Sequence, residues 1–319
     1  MIKLEEVHSF LKTYEVCKKG ITGNKKLLEK LDLAQESLHL IEDKYRNRAE
    51  TGTLYRYTTF SNSKKNRKLE RIRKNRLDKD KDLAEEKFLI AKKNVFKGIT
   101  KEEFIKLYER YFVSPKKPLA RKIYDEILAS AKQKCPYCCG IGIPRNLDHY
   151  LPKTHFPKFA ILPINLIPSC RDCNMDAKGD ALILSYEKQL IHPYLDNAHF
   201  FLDQWIDISF SSDTLNSRTE FFYFVNPPTE WNELDKERVK NHFKECNLDE
   251  RFSTQAVSEF LTLIDQIDEM RTEGLSDDNI AQYILEPALR SSCYSQNHWK
   301  KVLMMGIKKI ILNKNEKGS

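Results

Sequence analysis

Over the first sixty residues, apolar side chains recur every three or four positions, with Leu27, Leu28, Leu31, Leu33, Leu38 and Leu40 set among charges. That period reads as amphipathic helices. In KGITKEEFIKLYERYF, Thr100 followed by Glu103 matches a capping box, in which hydroxyl and carboxylate satisfy free backbone N–H groups. PLARKIYDEILASAK, residues 118–132, predicts another helix, with proline at its start where a missing N–H is harmless. Between 134 and 185 the helical period gives way to short apolar runs dense in Cys, Pro and Gly. A possible strand follows in LIHPYLDNAHFFLDQWIDISF, and FFYFV at 221–225 is a second. From Glu233 helix resumes, and Phe252, Ala256, Phe260, Leu263, Ile267 and Met270 form one stripe that ends at Gly274. Core packing is the simpler reading of that stripe and a partner surface the alternative. No internal repeat is visible.

Composition agrees with a mainly α protein. Only 10 Gly and 12 Pro occur in 319 residues, too few for the turns of a many-stranded barrel or sandwich. Lys and Arg number 54 against 46 Asp and Glu, a formal charge of +8. Most of that excess sits in KKNRKLERIRKNR, residues 64–76, where eight basic residues face one glutamate. Such a run either contacts a polyanion, releasing its counterions, or is a solvated helix face. The N-terminus MIKLEEVHSF has no apolar core and does not read as a secretory signal. The most hydrophobic stretch, FAILPINLIP at 159–168, is interrupted by Pro163 and Pro168 and falls short of a membrane span. A soluble cytoplasmic protein with no membrane partner is expected.

Five of the eight cysteines lie between 135 and 173, apart from Cys17, Cys246 and Cys293. In a reducing compartment, clustered cysteines point to metal. Cys135-Pro-Tyr-Cys138 and Cys170-Arg-Asp-Cys173 are two C-x-x-C knuckles, and four thiolates complete a closed tetrahedral site for structural Zn²⁺. The plain alternative is four ordinary buried cysteines. Cys139 reads as a spare thiol, with register exchange against Cys138 as the alternative.

The loop between the knuckles holds the remaining chemistry. Asp148-His149, then Asn165-Leu166, then Cys170-x-x-Cys173-Asn174 and Lys178 follow the order of the HNH endonucleases, the ββα-metal nucleases, in their zinc-supported form. This resemblance covers about residues 134–182. It implies that Asp148 and Asn174 hold a catalytic Mg²⁺ or Mn²⁺, that His149 activates water, and that Asn165 fixes the loop and orients the base. It also places Lys178 at a phosphate contact, with Lys153 and His155 as further substrate-facing residues. The residue chemistry agrees: an imidazole titrates near neutrality, and a carboxylate with an amide offers hard oxygen donors to a small divalent ion. Each residue also has a plainer reading. His149 can be a hydrogen-bonded core histidine, Asn165 a loop-capping amide, Asn174 a helix cap, His155 a cover over the site, and Asp172, Asp176 and Asp180 surface charges. Neighbouring strand residues face opposite ways, so Asp148 and His149 can share a site only at a twisted strand end, near where Pro152 stops pairing.

The expected architecture is therefore a helical region with a basic run (1–132), a zinc-stapled HNH module (133–185) and a mixed, then helical, region (186–319). His192-Pro-Tyr and Trp205 are expected to pack as scaffold beneath the module. The long flanks make the layout similar to HNH partners of Septu-type and retron-associated anti-phage systems. That likeness implies a DNA-cutting defence enzyme with a regulatory ATPase or another complex protein as partner. Two other readings stay open: a non-catalytic zinc-containing module for nucleic-acid binding or interaction, and a nuclease toxin directed at RNA.

Overall fold

The computed structural model of the protein describes residues 1–57, 94–178, 182–212 and 214–317, without the side chains of 94, 176–178 and 313–317. The basic run at 64–76 lies outside the described residues. The fold is mainly helical, with three small antiparallel two-stranded sheets among the described residues.

The N-terminal helices are α1 (Phe10–Lys19), α2 (Lys25–Gln35) and α3 (Leu38–Glu50). Ser9 caps α1 by accepting from the Lys12 N–H, and Asn24 caps α2 by accepting from Leu27. α1 buries Phe10, Thr13, Tyr14 and Cys17 on one stripe, and the Tyr14 hydroxyl donates to the Leu31 carbonyl of α2 at 2.9 Å. α3 turns Leu38, Ile41, Tyr45 and Ala49 inward. The leucine pattern is followed only in part: Leu27, Leu31 and Leu38 are buried, whereas Leu33 and Leu40 face solvent. These two fall off the stripe because each lies two positions from the buried residue before it, and 200° of helical turn carries it to the opposite side.

A short hairpin, β1 (Asn94–Phe96) and β2 (Ile99–Thr100), turns through Lys97 and Gly98, both at positive φ. The expected capping box at Thr100 and Glu103 is present and starts α4 (Lys101–Lys106), which runs on into a π-helical segment, Leu107–Phe112. Next comes α5 (Pro118–Ser130), close to the predicted bounds. The central hairpin pairs β3 (Asn146–His149) with β4 (Leu166–Ser169) in the register Asn146↔Ser169 to His149↔Leu166, and α5 lies against it.

In the C-terminal part, β5 (Ile206–Phe210) and β6 (Phe221–Val225) form the third hairpin where strands were predicted. It packs on α8 (Leu248–Thr272) and α11 (Trp299–Lys317), with the short α6 (His199–Leu202) and α7 (Glu233–Glu245) preceding α8. Between α8 and α11 run α9 (Asp277–Ile280), a π segment and α10 (Glu286–Arg290). Gly306 lets α11 approach β5, since a Cβ there would lie 2.3 Å from Ile208 Cγ2. The stripe from Phe252 to Ile267 is buried, which makes it core rather than a partner surface. One continuous apolar core links the N-terminal helices, the central hairpin and the C-terminal helices.

Candidate functional site

The two knuckles meet. Cys135, Cys138, Cys170 and Cys173 are all buried, and their four sulfurs lie within 4.8 Å of one another. A tetrahedron with Zn–S of about 2.3 Å has S···S edges of about 3.8 Å, and the Cys138–Cys170 pair is at 4.0 Å. Four buried cysteines this close can bind a structural metal such as zinc. Backbone N–H groups already point at the sulfurs, Gly142 to Cys138 at 3.3 Å and Cys170 to Cys135 at 3.4 Å. The first knuckle closes through Cys139 and Gly140, both at positive φ. Gly142 is fixed by space, because a Cβ there would meet Cys170 Sγ at 2.4 Å. Cys139 stays outside the cluster, its sulfur 3.8 Å from Met1 Sδ, as a spare thiol should.

Arg251 of α8 reaches this cluster, with Nη1 3.2 Å from Cys173 Sγ and Nη2 3.7 Å from Cys170 Sγ. Four thiolates around a divalent ion leave two negative charges, and a guanidinium beside the sulfurs offsets part of that. Hydrogen bonds from Cys135, Cys138 and Cys173 hold the Cys170 thiol below its ordinary range. Nothing in the local sequence marked Arg251, which is 78 residues from Cys173. Asp172 is an exposed charge whose carboxylate pairs with the same arginine at 3.3 Å.

From the second knuckle the chain leads back along β4 into the hairpin. His149 ends β3, and its Nε2 lies 2.9 Å from the Ala160 carbonyl oxygen. A carbonyl only accepts, so Nε2 carries the proton and Nδ1 is the basic nitrogen of the neutral ring. Tyr108, from the π segment after α4, packs its ring on His149 with centroids 4.4 Å apart. Burial holds the Tyr108 phenol above its ordinary value, and the Tyr124 and Asp148 charges add to the effect. Asp148 and His149 are both buried, at 6% and 8% exposure.

Asn165 is fully buried and uses every polar atom of its amide. Oδ1 accepts from the Leu151 N–H at 2.8 Å and the Tyr45 hydroxyl at 2.9 Å, while Nδ2 donates to the carbonyls of Leu151 and Phe159, each at 3.2 Å. Phe159 precedes Ala160, so the amide closes the loop whose next carbonyl holds His149. Tyr45 Oη also lies 3.3 Å from His192 Nε2. Burial, with Arg238 nearby, drives the His192 ring down to about 3, so it is neutral at physiological pH. Arg238 of α7 then fastens the segment carrying His192: it donates to the carbonyls of Gln189 and Leu190 and pairs with buried Asp196 at 3.0 Å. His192 and Trp205 are thus buried scaffold, as expected.

The other expected site residues are placed less centrally. Asn174 is half-buried in the π turn Cys173–Lys178, its N–H donating to the Cys170 carbonyl. The side chains of Asp176, Lys178 and Asp180 lie outside the described residues. Lys153 spends its ammonium on Glu109 at 2.9 Å and lies 4.8 Å from the Tyr108 ring centre. His155 is half-buried, its N–H donating to the Pro152 carbonyl. Tyr45 and Tyr108 carry no motif. The one sequence cue to them is an aromatic at a core position of a helix.

Fold and site together define a mainly helical protein with a buried tetracysteine cluster braced against a small hairpin. Over 216 residues the chain is 36% identical to protein ea31 of Escherichia phage lambda, covering 65% of this chain and 71% of that protein. The chain belongs to the family of ea31. No family model and no solved structure matches it. Among the described residues, no helix is long and apolar enough to cross a membrane.

Proposed function

We propose that the protein is a metal-dependent endonuclease of the HNH type, acting on DNA phosphodiesters, with residues 133–185 as its catalytic module. The observation that supports this reading best is the fixed tautomer of His149. Its Nε2–H is committed to the Ala160 carbonyl, so proton transfer from an attacking water would fall to Nδ1. Asn165 positions the base by holding the 151–159 loop at both ends. Tyr108 fixes the ring plane and keeps bulk water from that face.

The donor chemistry fits a second ion. Asp148 and Asn174 offer one carboxylate and one amide oxygen, a set suited to Mg²⁺ or Mn²⁺ rather than to zinc. They would hold it, and when bound it would supply Lewis-acid stabilisation of charge on the phosphate. The four cysteines would hold Zn²⁺ and only brace the fold. Lys178, Lys153 and His155 are the residues proposed for phosphate contacts, with Lys153 having to leave Glu109 first. A role in phage-related defence, with a regulatory protein partner, belongs to the same proposal.

The burial of Asp148 and His149 favours a second reading, a non-catalytic zinc-containing module in which the histidine is a core group. Incubating plasmid DNA and RNA with the full-length protein, with Mg²⁺, with Mn²⁺ or without divalent ion, separates the two. Cleavage should need the added ion and fall about 10²- to 10⁴-fold in His149→Ala. Cutting by His149→Ala at the wild-type rate would refute the assignment of the base. Absence of cutting by either protein would favour the binding module, and preferential cutting of RNA would change the substrate class.

A further inference from the structure

Away from the cysteines, α3, the β1–β2 turn and the turn at Pro157–Phe159 enclose a cavity of about 280 Å³. Lys44, Lys97 and Lys158 line it beside Tyr57 and Phe96, and no acidic residue is among the lining residues. The Arg48 guanidinium lies 4.3 Å from the centre of the Tyr57 ring, and the Lys158 ammonium 4.9 Å from the same ring. Among the described residues, none of these four cations has a carboxylate within 4.0 Å. Lys158 and Arg48 are half-buried and Lys44 and Lys97 exposed, whereas the half-buried Lys30 and Lys300 pair with Glu103 and Glu259. Behind the Tyr57 ring, Arg48 Nη1 and the Tyr57 hydroxyl are buried away from the cavity, with no hydrogen-bond partner among the described residues.

Like charges gathered without counter-ions destabilise a fold, and buried donors left unsatisfied do so again. The gathered positive charge is met by one kind of ligand, an anion with several acceptor oxygens. We infer that this cavity is an anion site that takes the phosphate of a nucleotide unit, with base or sugar against Tyr57 and Phe96. Arg and Lys supply charge-assisted hydrogen bonds to phosphate oxygens, and aromatic walls beside them stack a base regardless of its identity. A carboxylate or sulfate would satisfy the cations but leave the aromatic surface unused. Lys158 sits two residues before Ala160, whose carbonyl holds His149. The inference concerns binding only and stands whether or not His149 is catalytic.

Binding is measured on the full-length protein without added divalent ion, using three probes: inorganic phosphate, adenosine monophosphate and a fluorescein-labelled 12-nucleotide single strand. Lys158→Gln and Lys44→Gln should each weaken binding of the strand about tenfold and lower its log–log salt slope by about 1, with melting temperature not lowered. Plasmid cleavage with Mg²⁺ is measured separately, so absence of cutting with binding retained bears on the hydrolytic reading alone. Loss confined to adenosine monophosphate would identify a free nucleotide as the source of the phosphate, whereas loss for the strand with competition by the monophosphate identifies a nucleic-acid backbone. Wild-type affinity of both variants for all three probes, or no binding of any probe by the wild-type chain, would overturn the inference.

Discussion

Replacing Asn165 by alanine tests how the loop over His149 is held. The substitution removes four hydrogen bonds at 2.8 to 3.2 Å. It strands the Leu151 N–H and the Leu151 carbonyl in a site with no exposure to water, while the Phe159 carbonyl keeps the Leu162 N–H. A hydrogen bond contributes about 1 kcal/mol net, and a stranded buried group costs about 1–3 kcal/mol. Partial collapse of the loop offsets some of this, which leaves about 4 kcal/mol. At this chain length 1 kcal/mol moves the melting temperature by roughly 2 °C, so the variant should melt about 8 °C below wild type. Tyr45→Phe removes only one of the four bonds and should lower it by about 2 °C. Circular dichroism melts of the zinc-loaded, full-length proteins measure both, with zinc content confirming that the cysteine cluster is intact. An Asn165→Ala melt within 2 °C of wild type would refute the reasoning, as would a Tyr45→Phe loss as large as that of Asn165→Ala.

Two other predictions concern the thiols and the cationic cavity. Cys170→Ser should abolish stoichiometric zinc by elemental analysis and lower the melting temperature by about 10 °C or more, since structural zinc contributes about 10–16 kcal/mol in finger peptides; one zinc retained per chain with unchanged melting would contradict it. Burial, then Arg48 and Lys44, hold the Lys158 ammonium down at about 8, against about 10.4 for a free lysine. Below pH 8 both states are protonated and the native state bears the full penalty; between about 8 and 10.4 the unfolded chain binds more protons, so wild-type stability rises with pH. Lys158→Met should therefore melt above wild type at pH 7 by a margin that shrinks between pH 8 and 10. A lower melting point at pH 7, or a margin that ignores pH, would count against an unpaired cation there.

Local signals carried much of the fold. The capping box at Thr100, proline at the head of α5, the FFYFV strand and the α8 stripe depend on neighbours within one or two turns, and each stands where its residues put it. The four-cysteine cluster was legible because the C-x-x-C spacing brings two sulfurs together before any tertiary contact forms. What escaped was long-range. Arg251 meets Cys173 across 78 residues and Tyr45 meets Asn165 across 120, and no pattern in the intervening sequence records either pairing. Leu33 and Leu40 misled for the opposite reason, since leucine favours helix whether or not its face is covered.

Those long-range pairings also decide how far residues 133–185 can act as a unit. A two-stranded hairpin is marginal in water by itself, and β3 and β4 have four residues each. Every face of it is fixed from elsewhere. Tyr108 lies on His149, the Tyr124 hydroxyl accepts from the Leu147 N–H at 3.2 Å, Tyr45 bonds Asn165, and Arg251 reaches the sulfurs. Arg238 adds a fixed, buried support beneath, through the segment that presents His192 to Tyr45. The cysteine cluster brings its two knuckles together but touches neither His149 nor the 151–160 loop through any of these bonds. Zinc can therefore hold one end of the hairpin while the orientation of His149 still depends on α3, the segment after α4, and α7. The helical flanks thereby supply geometry to the site, and a change in how they pack would reach His149 through Tyr45 and Asn165 without disturbing a single thiolate.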